Sequence, residues 1–196
     1  MRALLTGLLL ALAPLAVLTA CPGPGTVVQG RTVALDRTGK TVTIIRDTAA
    51  SPNRPRYDGL PPETFQLPTN PREMGPEPTA GLLLDLDPEA GVLVLYNPAT
   101  RRLDRLRPRI VEKQTGIVPD DPLVRDKRFP RVDHDSGIVT IYCPQRALVL
   151  SFLPPDAYRQ LTPEDWGLGD VVRLYTKEPG KALRLMNVTK TDIFKK

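Results

Sequence analysis

"VDHDSGIVTIYC", residues 132–143, holds the only histidine of the chain and the only cysteine beyond position 21. Its first eleven residues align without a gap with two other stretches, "LDRTGKTVTII" (35–45) and "LDPEAGVLVLY" (86–96). Each copy has an apolar residue, then Asp36, Asp87 or Asp133, then a polar or glycine-containing turn, then an alternating apolar run. That pattern predicts a hairpin: a strand ending at Asp, a short loop, and a returning strand of apolar and β-branched residues. The aspartate suits the start of the turn because its carboxylate accepts hydrogen bonds from backbone N–H groups just ahead of it. At the position of His134 the other copies carry Arg37 and Pro88, and at the position of Cys143 they carry Arg46 and Asn97. The shared positions are therefore scaffold, and His134 and Cys143 belong to this copy alone.

Working outward, the first hairpin is followed by "ETFQLP" (63–68), a proline-rich stretch and "AGLLLDLDPEAGVLVLYNP" (80–98). The third is followed by "LVLSFLP" (148–154), an irregular connection and "GDVVRLYTKEPGKALRLMNV" (169–188). Both halves read hairpin, single strand, connection, hairpin, an order that suits a small closed barrel in which curling removes exposed sheet edges. The expected fold class is mainly β, with two tandem OB-like or barrel-like modules over 26–117 and 118–196; one continuous sheet remains the alternative. The 22 prolines of the chain argue against long helices and for short strands joined by rigid loops. An extended surface loop, offering a recognition face or acting as a plain connector, is expected over 47–80. Pro154-Pro155-Asp156 and Thr162-Pro163-Glu164-Asp165-Trp166 carry helix-start signals, with Gly167 and Gly169 as stops.

The amino terminus, "MRALLTGLLLALAPLAVLTAC" (1–21), has one basic residue, Arg2, an apolar run interrupted by Pro14, and small residues before Cys21. This is the pattern of an export signal over 1–20. Leu18-Thr19-Ala20-Cys21 resembles the lipobox of bacterial lipoproteins. The resemblance implies that Cys21 is acylated, residues 1–20 are removed, and 21–25 form a short Pro/Gly tether. Acyl chains at about 0.8 kcal/mol per buried methylene hold such a protein firmly to a bilayer. The implied location is the cell envelope, lipid-anchored to the outer or inner membrane and facing the periplasm. With Cys21 used for lipid, Cys143 has no disulfide partner, so stability must come from a hydrophobic core. The net charge of +5, reduced by one when Arg2 is removed, is compatible with an anionic membrane surface but falls short of a nucleic-acid footprint.

The chemistry-bearing residues are sparse. In an extended strand His134 and Cys143 stand roughly 25–30 Å apart, at about 3.3 Å per residue, so they cannot share one ion. Asp133, His134 and Asp135 are a weak cluster for a hard cation or acid–base work, which needs a cleft and a positioned partner. No nucleophile elbow, zinc-protease motif or phosphate-cradling glycine loop occurs in the chain. In "RRLDRLRPR" (101–109), Arg105, Arg107 and Arg109 share one face if the chain is extended. That face suits lipid phosphate or an acidic partner, or else guards an edge strand against aggregation.

The second half, through "VDHDSGIVTIY", "ALVLSF", Gly169-Asp170 and "ALRLMNV", resembles the small periplasmic copper- and silver-binding OB-fold proteins. Those hold a soft metal with a strand-end His, two Met on the next strand and a covering Trp. Carried over, the His position falls on Cys143 and the Met positions near Leu148 and Leu150, while Trp166 lies far along the chain. A thiolate is a soft-metal ligand and leucine is none. Over its whole length, through "EMGPEP" (73–78), "DDPLV" (120–124) and "EPGKALRLMNVTKTDIFKK" (178–196), the chain resembles a family of lipoproteins of similar length from sulfate-reducing bacteria. That resemblance implies the lipid anchor and carries no site residues. The function expected is a lipid-anchored, non-catalytic binding or accessory component, with no cofactor and with an envelope protein as a partner. The alternatives are a soft-metal carrier using Cys143 and an envelope enzyme of undefined reaction.

Overall fold

A computed structural model of the chain describes residues 24–49 and 54–191. The expected signal over 1–20, Cys21 and the first part of the tether lie outside the described residues. The described chain is mainly β, with twelve strands: β1 (Thr26–Asp36), β2 (Thr41–Asp47), β3 (Tyr57–Gln66), β4 (Leu83–Asp87), β5 (Val92–Asn97), β6 (Arg102–Leu106), β7 (Arg109–Thr115), β8 (Arg131–Val132), β9 (Val139–Cys143), β10 (Leu148–Leu153), β11 (Val171–Glu178) and β12 (Lys181–Asn187). No helix among the described residues is long and apolar enough to cross a membrane.

All three aligned stretches form hairpins, β1–β2, β4–β5 and β8–β9. Their aspartates cap the turns. Asp36 Oδ1 accepts from Gly39 N–H at 2.8 Å, Asp87 Oδ1 from Ala90 at 2.9 Å, and Asp133 Oδ1 from Asp135 at 3.0 Å. Donors to the charged form favour it, so the bond from Ala90 holds the Asp87 carboxyl below its usual range, and those from Ser136 do the same for Asp133. A fourth turn, between β5 and β6, uses Asn97 in the same way, accepting from Ala99 and Thr100 at 3.1 and 3.2 Å. In each turn the residue four positions on is left-handed: Lys40, Gly91, Arg101 and Gly137 have φ of 51°, 62°, 55° and 70°. That conformation swings the returning strand back into register.

Five strands close a barrel in the order β1-β11-β12-β3-β2. Numbered along the chain, its strands run first, second, third, fifth, fourth and back to the first. The third and fifth meet in parallel at Gln66 and Lys181, and the other ladders are antiparallel. This is the strand arrangement of an OB barrel. Its interior is filled by Val28, Val42, Ile44, Phe65, Val172, Leu174, Ala182 and Leu185.

Everything between β3 and β11 is inserted into that barrel. It forms a three-stranded sheet, β4-β5-β6, and a four-stranded sheet, β7-β10-β9-β8. The two share one core, in which Leu83, Leu93, Leu95 and Leu106 meet Ile141, Leu148, Leu150 and Phe152 around Trp166. A further cluster, Val33, Ile45 and Tyr57 with Leu82, Leu84 and Tyr96, joins barrel to insert. The expected division into 26–117 and 118–196 is thus redrawn. The barrel takes β1–β3 from the first range and β11–β12 from the second, with the other module between them. Hairpin pattern specifies local pairing, whereas the choice of neighbour for each free edge depends on contacts distant in sequence.

Two local expectations also change. The loop placed over 47–80 contains β3, which carries Pro61 and Pro62. Because β3 meets β12 at a single pair, most of its outer edge has no ladder to lose, and proline is tolerated there. The helix signals around 155–166 yield only a 3-10 turn at Asp156–Tyr158 and a reversal over 163–166. Thr162 Oγ1 does accept from Asp165 N–H at 3.3 Å, but glycine and proline leave no room for further turns.

Candidate functional site

Barrel and insert meet along a seam built from β1 and the segment 165–170. The β1–β2 register shifts between Thr32 and Ala34, leaving Val33 unpaired, while the backbone of Thr32, paired with Ile44 in that ladder, faces the segment before β11. Thr32 N–H donates to the Asp170 carbonyl at 2.9 Å, and the Thr32 carbonyl accepts from Gly81 N–H at 3.2 Å. Leu82 and Leu83 N–H donate to the carbonyls of Asp165 and Gly167 at 2.9 and 3.2 Å. These contacts are backbone on backbone. A Cβ on Gly169 would lie 1.8 Å from the Thr32 carbonyl oxygen, and one on Gly81 would lie 2.0 Å from that of Gly167. Only glycine fits either position.

Beside the seam the buried Asp170 carboxylate ties three chain segments together. Its Oδ2 accepts from Thr79 N–H at 2.8 Å, Asn187 Nδ2 at 2.9 Å and Lys190 Nζ at 2.9 Å. Lys190 Nζ also donates to the Glu77 carbonyl and to Thr79 Oγ1, each at 2.8 Å. The connection that leads out of the barrel is therefore fastened back to its last strands.

On the insert side the seam encloses a cavity of about 110 Å³, lined by Arg31, Asp85, Cys143, Gln145, Arg146 and Gly169 among others. Arg31 reaches this cavity from β1. Nη1 donates to the Gly169 carbonyl at 2.8 Å, and the guanidinium carbon lies 4.5 Å from the centre of the Tyr57 ring. Nε is sealed from solvent and has no hydrogen-bond partner. Burial lowers the Arg31 pKa, with the Tyr57 hydroxyl opposing it, yet an arginine stays charged. Asp85 bears on that charge but is itself engaged by Arg146 Nη2 at 3.0 Å. Among the described residues no carboxylate lies within ion-pair distance of Arg31. A buried cation without an anion is costly, by several kcal/mol before compensation, and an anionic ligand would relieve that cost.

The cavity adjoins a wider cleft of about 590 Å³, with Gln145, Leu168 and Thr189 lining both. Lys127 and Arg128 stand on the wider cleft, with Phe129, Tyr142 and Trp166 supplying apolar wall and Glu164 the acid. Phe129 and Tyr142 pack with ring centres 5.9 Å apart. Four cations, two in the inner cavity and two on the outer cleft, thus face the space against Asp85 and Glu164.

The residues expected from sequence fall as follows. Cys143 ends β9, is buried at 4% exposure and lines the cavity. Burial pushes its thiol pKa up, against weaker opposing effects from the Arg146 backbone and charge. Its ladder partner is Leu148, and its sulfur lies 3.6 Å from Gln145 Oε1. His134 and Asp135 are exposed in the turn before β9, so the fold does not bring the histidine to the cysteine. No group of three His, Cys, Asp or Glu residues among the described residues is placed to hold a metal. Trp166, distant in sequence, joins the same core as Cys143, Leu148 and Leu150, where it packs edge-on against Phe152 with centres 5.3 Å apart. Arg105, Arg107 and Arg109 are exposed and alternate with buried Leu106 and Pro108, but they span the break between β6 and β7, two strands of different sheets. The cations that converge are instead Arg31 and Arg146. Their signal was faint: a charged residue inside β1 next to Gly30, and a basic residue in the turn that follows Cys143.

No curated protein matches the chain, and no solved structure matches it. Residues 24–196 match the family model described as Domain of unknown function (DUF4881). That match covers all of the barrel and its insert, and the chain belongs to this family.

Proposed function

We propose that the protein is a lipid-anchored component of the cell envelope that binds an anionic ligand at the seam and does not transform it. The observation that carries the reading is Arg31: a mostly buried guanidinium, without a carboxylate partner, facing a cavity that opens beside a basic cleft. Arg31 and Arg146 would receive the anionic end, a carboxylate or phosphate, since guanidinium donors match such groups in geometry. Lys127, Arg128, Phe129 and Tyr142 would line the path of the remainder of a larger ligand. Cys21, through its lipid, would hold this cleft on the periplasmic side of a membrane.

Thermal unfolding of the protein titrated with inorganic phosphate and with short-chain carboxylates tests the binding reading. A ligand that binds the native state raises stability by about 2.7 kcal/mol at a hundred times its dissociation constant. The rise is expected in the wild type and absent in Arg31→Met, which keeps the aliphatic stem against Tyr57. Equal responses of the two proteins would refute the assignment. Stoichiometric copper, silver or zinc that disappears in Cys143→Ala would instead favour a soft-metal carrier. The anchor is tested separately, since Cys21→Ala should release the protein from the membrane fraction.

A further inference from the structure

The outer wall of an OB barrel alternates with its interior, and here most outward positions are polar. Gln29, Thr43, Thr64 and Arg173 face out, with Thr43 and Thr64 hydroxyls 2.9 Å apart. One area departs from this. Val27 of β1, Tyr175 of β11, and Leu183 and Met186 of β12 line an open groove of about 610 Å³ on the wall. Val27 is 63% exposed and Leu183 39%. The ladders bring these residues together, since Val27 pairs with Tyr175 and Arg173 pairs with Met186. Outward apolar side chains gathered on one face of a soluble module mark an interaction surface.

Two observations identify what covers it. The first is where the chain leaves the barrel. A Cβ on Gly25 would lie 2.3 Å from the Tyr175 ring, so the last residue before β1 abuts a side chain that lines this groove. From Cys21 to Val27 the chain spans at most about 20 Å even when fully extended. A lipid on Cys21 would therefore keep the end of β1 that carries Val27, and this wall beside it, within that distance of the bilayer surface. The second is charge. Arg173 lines the groove with Nε donating to Gln29 Oε1 at 2.7 Å, while Arg184 and Glu73, also on its lining, are paired with each other. Arg173 thus carries the net charge beside the apolar patch, and a cation so placed suits phosphate headgroups above acyl chains.

We infer that this groove is a membrane-docking face: Val27, Tyr175, Leu183 and Met186 seat in the headgroup region of the bilayer that the Cys21 lipid enters, with Arg173 on lipid phosphate. The inference rests on the lipid-anchor reading proposed above. Docking fixes the orientation of the barrel instead of leaving it to swing on its tether.

The test uses the lipidated full chain, in a Cys143→Ala background, floated on vesicles of phosphatidylethanolamine and phosphatidylglycerol. Single nitroxide labels replace Val27, Leu183 or, as a control on the insert, the exposed Val118. In the vesicle-bound protein, labels at 27 and 183 should collide more often with oxygen than with a water-soluble nickel chelate, and the label at 118 should show the reverse. Floated protein whose labels at 27 and 183 remain as open to nickel as the one at 118 overturns docking and leaves the anchor intact. Spin–spin broadening at 27 and 183 that grows with protein density would assign the face to a second copy and overturn the inference as well. Protein that fails to float at all removes the anchor, and this inference with it.

Discussion

Removing the Asp170 carboxylate should loosen the closure of the barrel around its insert, and the structure sets the size of the effect. Asp170 is 5% exposed and Asn187 is fully buried, so their bond, at 2.9 Å, is made without competition from water. A hydrogen bond to a charged group in such a place contributes about 1.5–3 kcal/mol. The Thr79 N–H bond at 2.8 Å is closer to solvent and contributes about 1 kcal/mol. The Lys190 pair adds little beyond about 0.5 kcal/mol, because the lysine side chain is 40% exposed and keeps two other acceptors. Asp170→Ala should then cost about 3–4.5 kcal/mol, a fall in melting temperature of roughly 10 °C for a domain of this size. All three donors converge on Oδ2. Asp170→Asn, with its amide oxygen in that place, keeps the geometry and loses only charge, so its cost should stay near 1 kcal/mol. Urea unfolding of the three proteins gives both numbers. If the alanine variant lost no more stability than the asparagine variant, the knot would not be holding the connection, and the reasoning fails.

Gly169→Ala should cost about 2–4 kcal/mol in the same assay, because the backbone of Thr32 cannot retreat, while Gly91→Ala, with open space around it but φ at 62°, should cost about 1 kcal/mol. Lys40→Gly and Arg101→Gly should each stabilise by about 0.5–1 kcal/mol, relieving left-handed strain that Gly91 and Gly137 avoid. Trp166→Ala should cost about 3–5 kcal/mol, and a double-mutant cycle with Phe152 should return a coupling of about 0.5–1.5 kcal/mol from their edge-on packing. For Cys143, burial raises the thiol pKa, so the folded chain keeps its proton where the unfolded chain has lost it. Its stability contribution is whole below the unfolded value of about 8.5 and is lost as pH rises through the folded one. Cys143→Ala should flatten the alkaline decline in melting temperature, and iodoacetamide should label Cys143 of the wild type rapidly in urea and slowly without it.

Local information was legible in the chain to the extent that short-range physics fixed it. Alternation of apolar residues and an aspartate before each turn specify hairpins, because side-chain period and turn hydrogen bonds act within a few residues; all three repeats fold as read. The fourth, through Asn97 and Arg101, uses the same device with different residues and was hidden by them. Which hairpin edges join is another matter. Gly30 pairs with Val172 and Gln66 with Lys181 across more than half the chain, and no local pattern encodes such choices. The same limit applies to the site. Cys143 stood out as the odd residue in its repeat, and it does line the cavity. Nothing in the sequence marks Arg31 apart from other basic residues on strands, and it becomes a buried guanidinium where the segment around Gly169 packs against β1. Burial and convergence are properties of chain segments brought together over long separations, and they appear when the barrel closes around its insert.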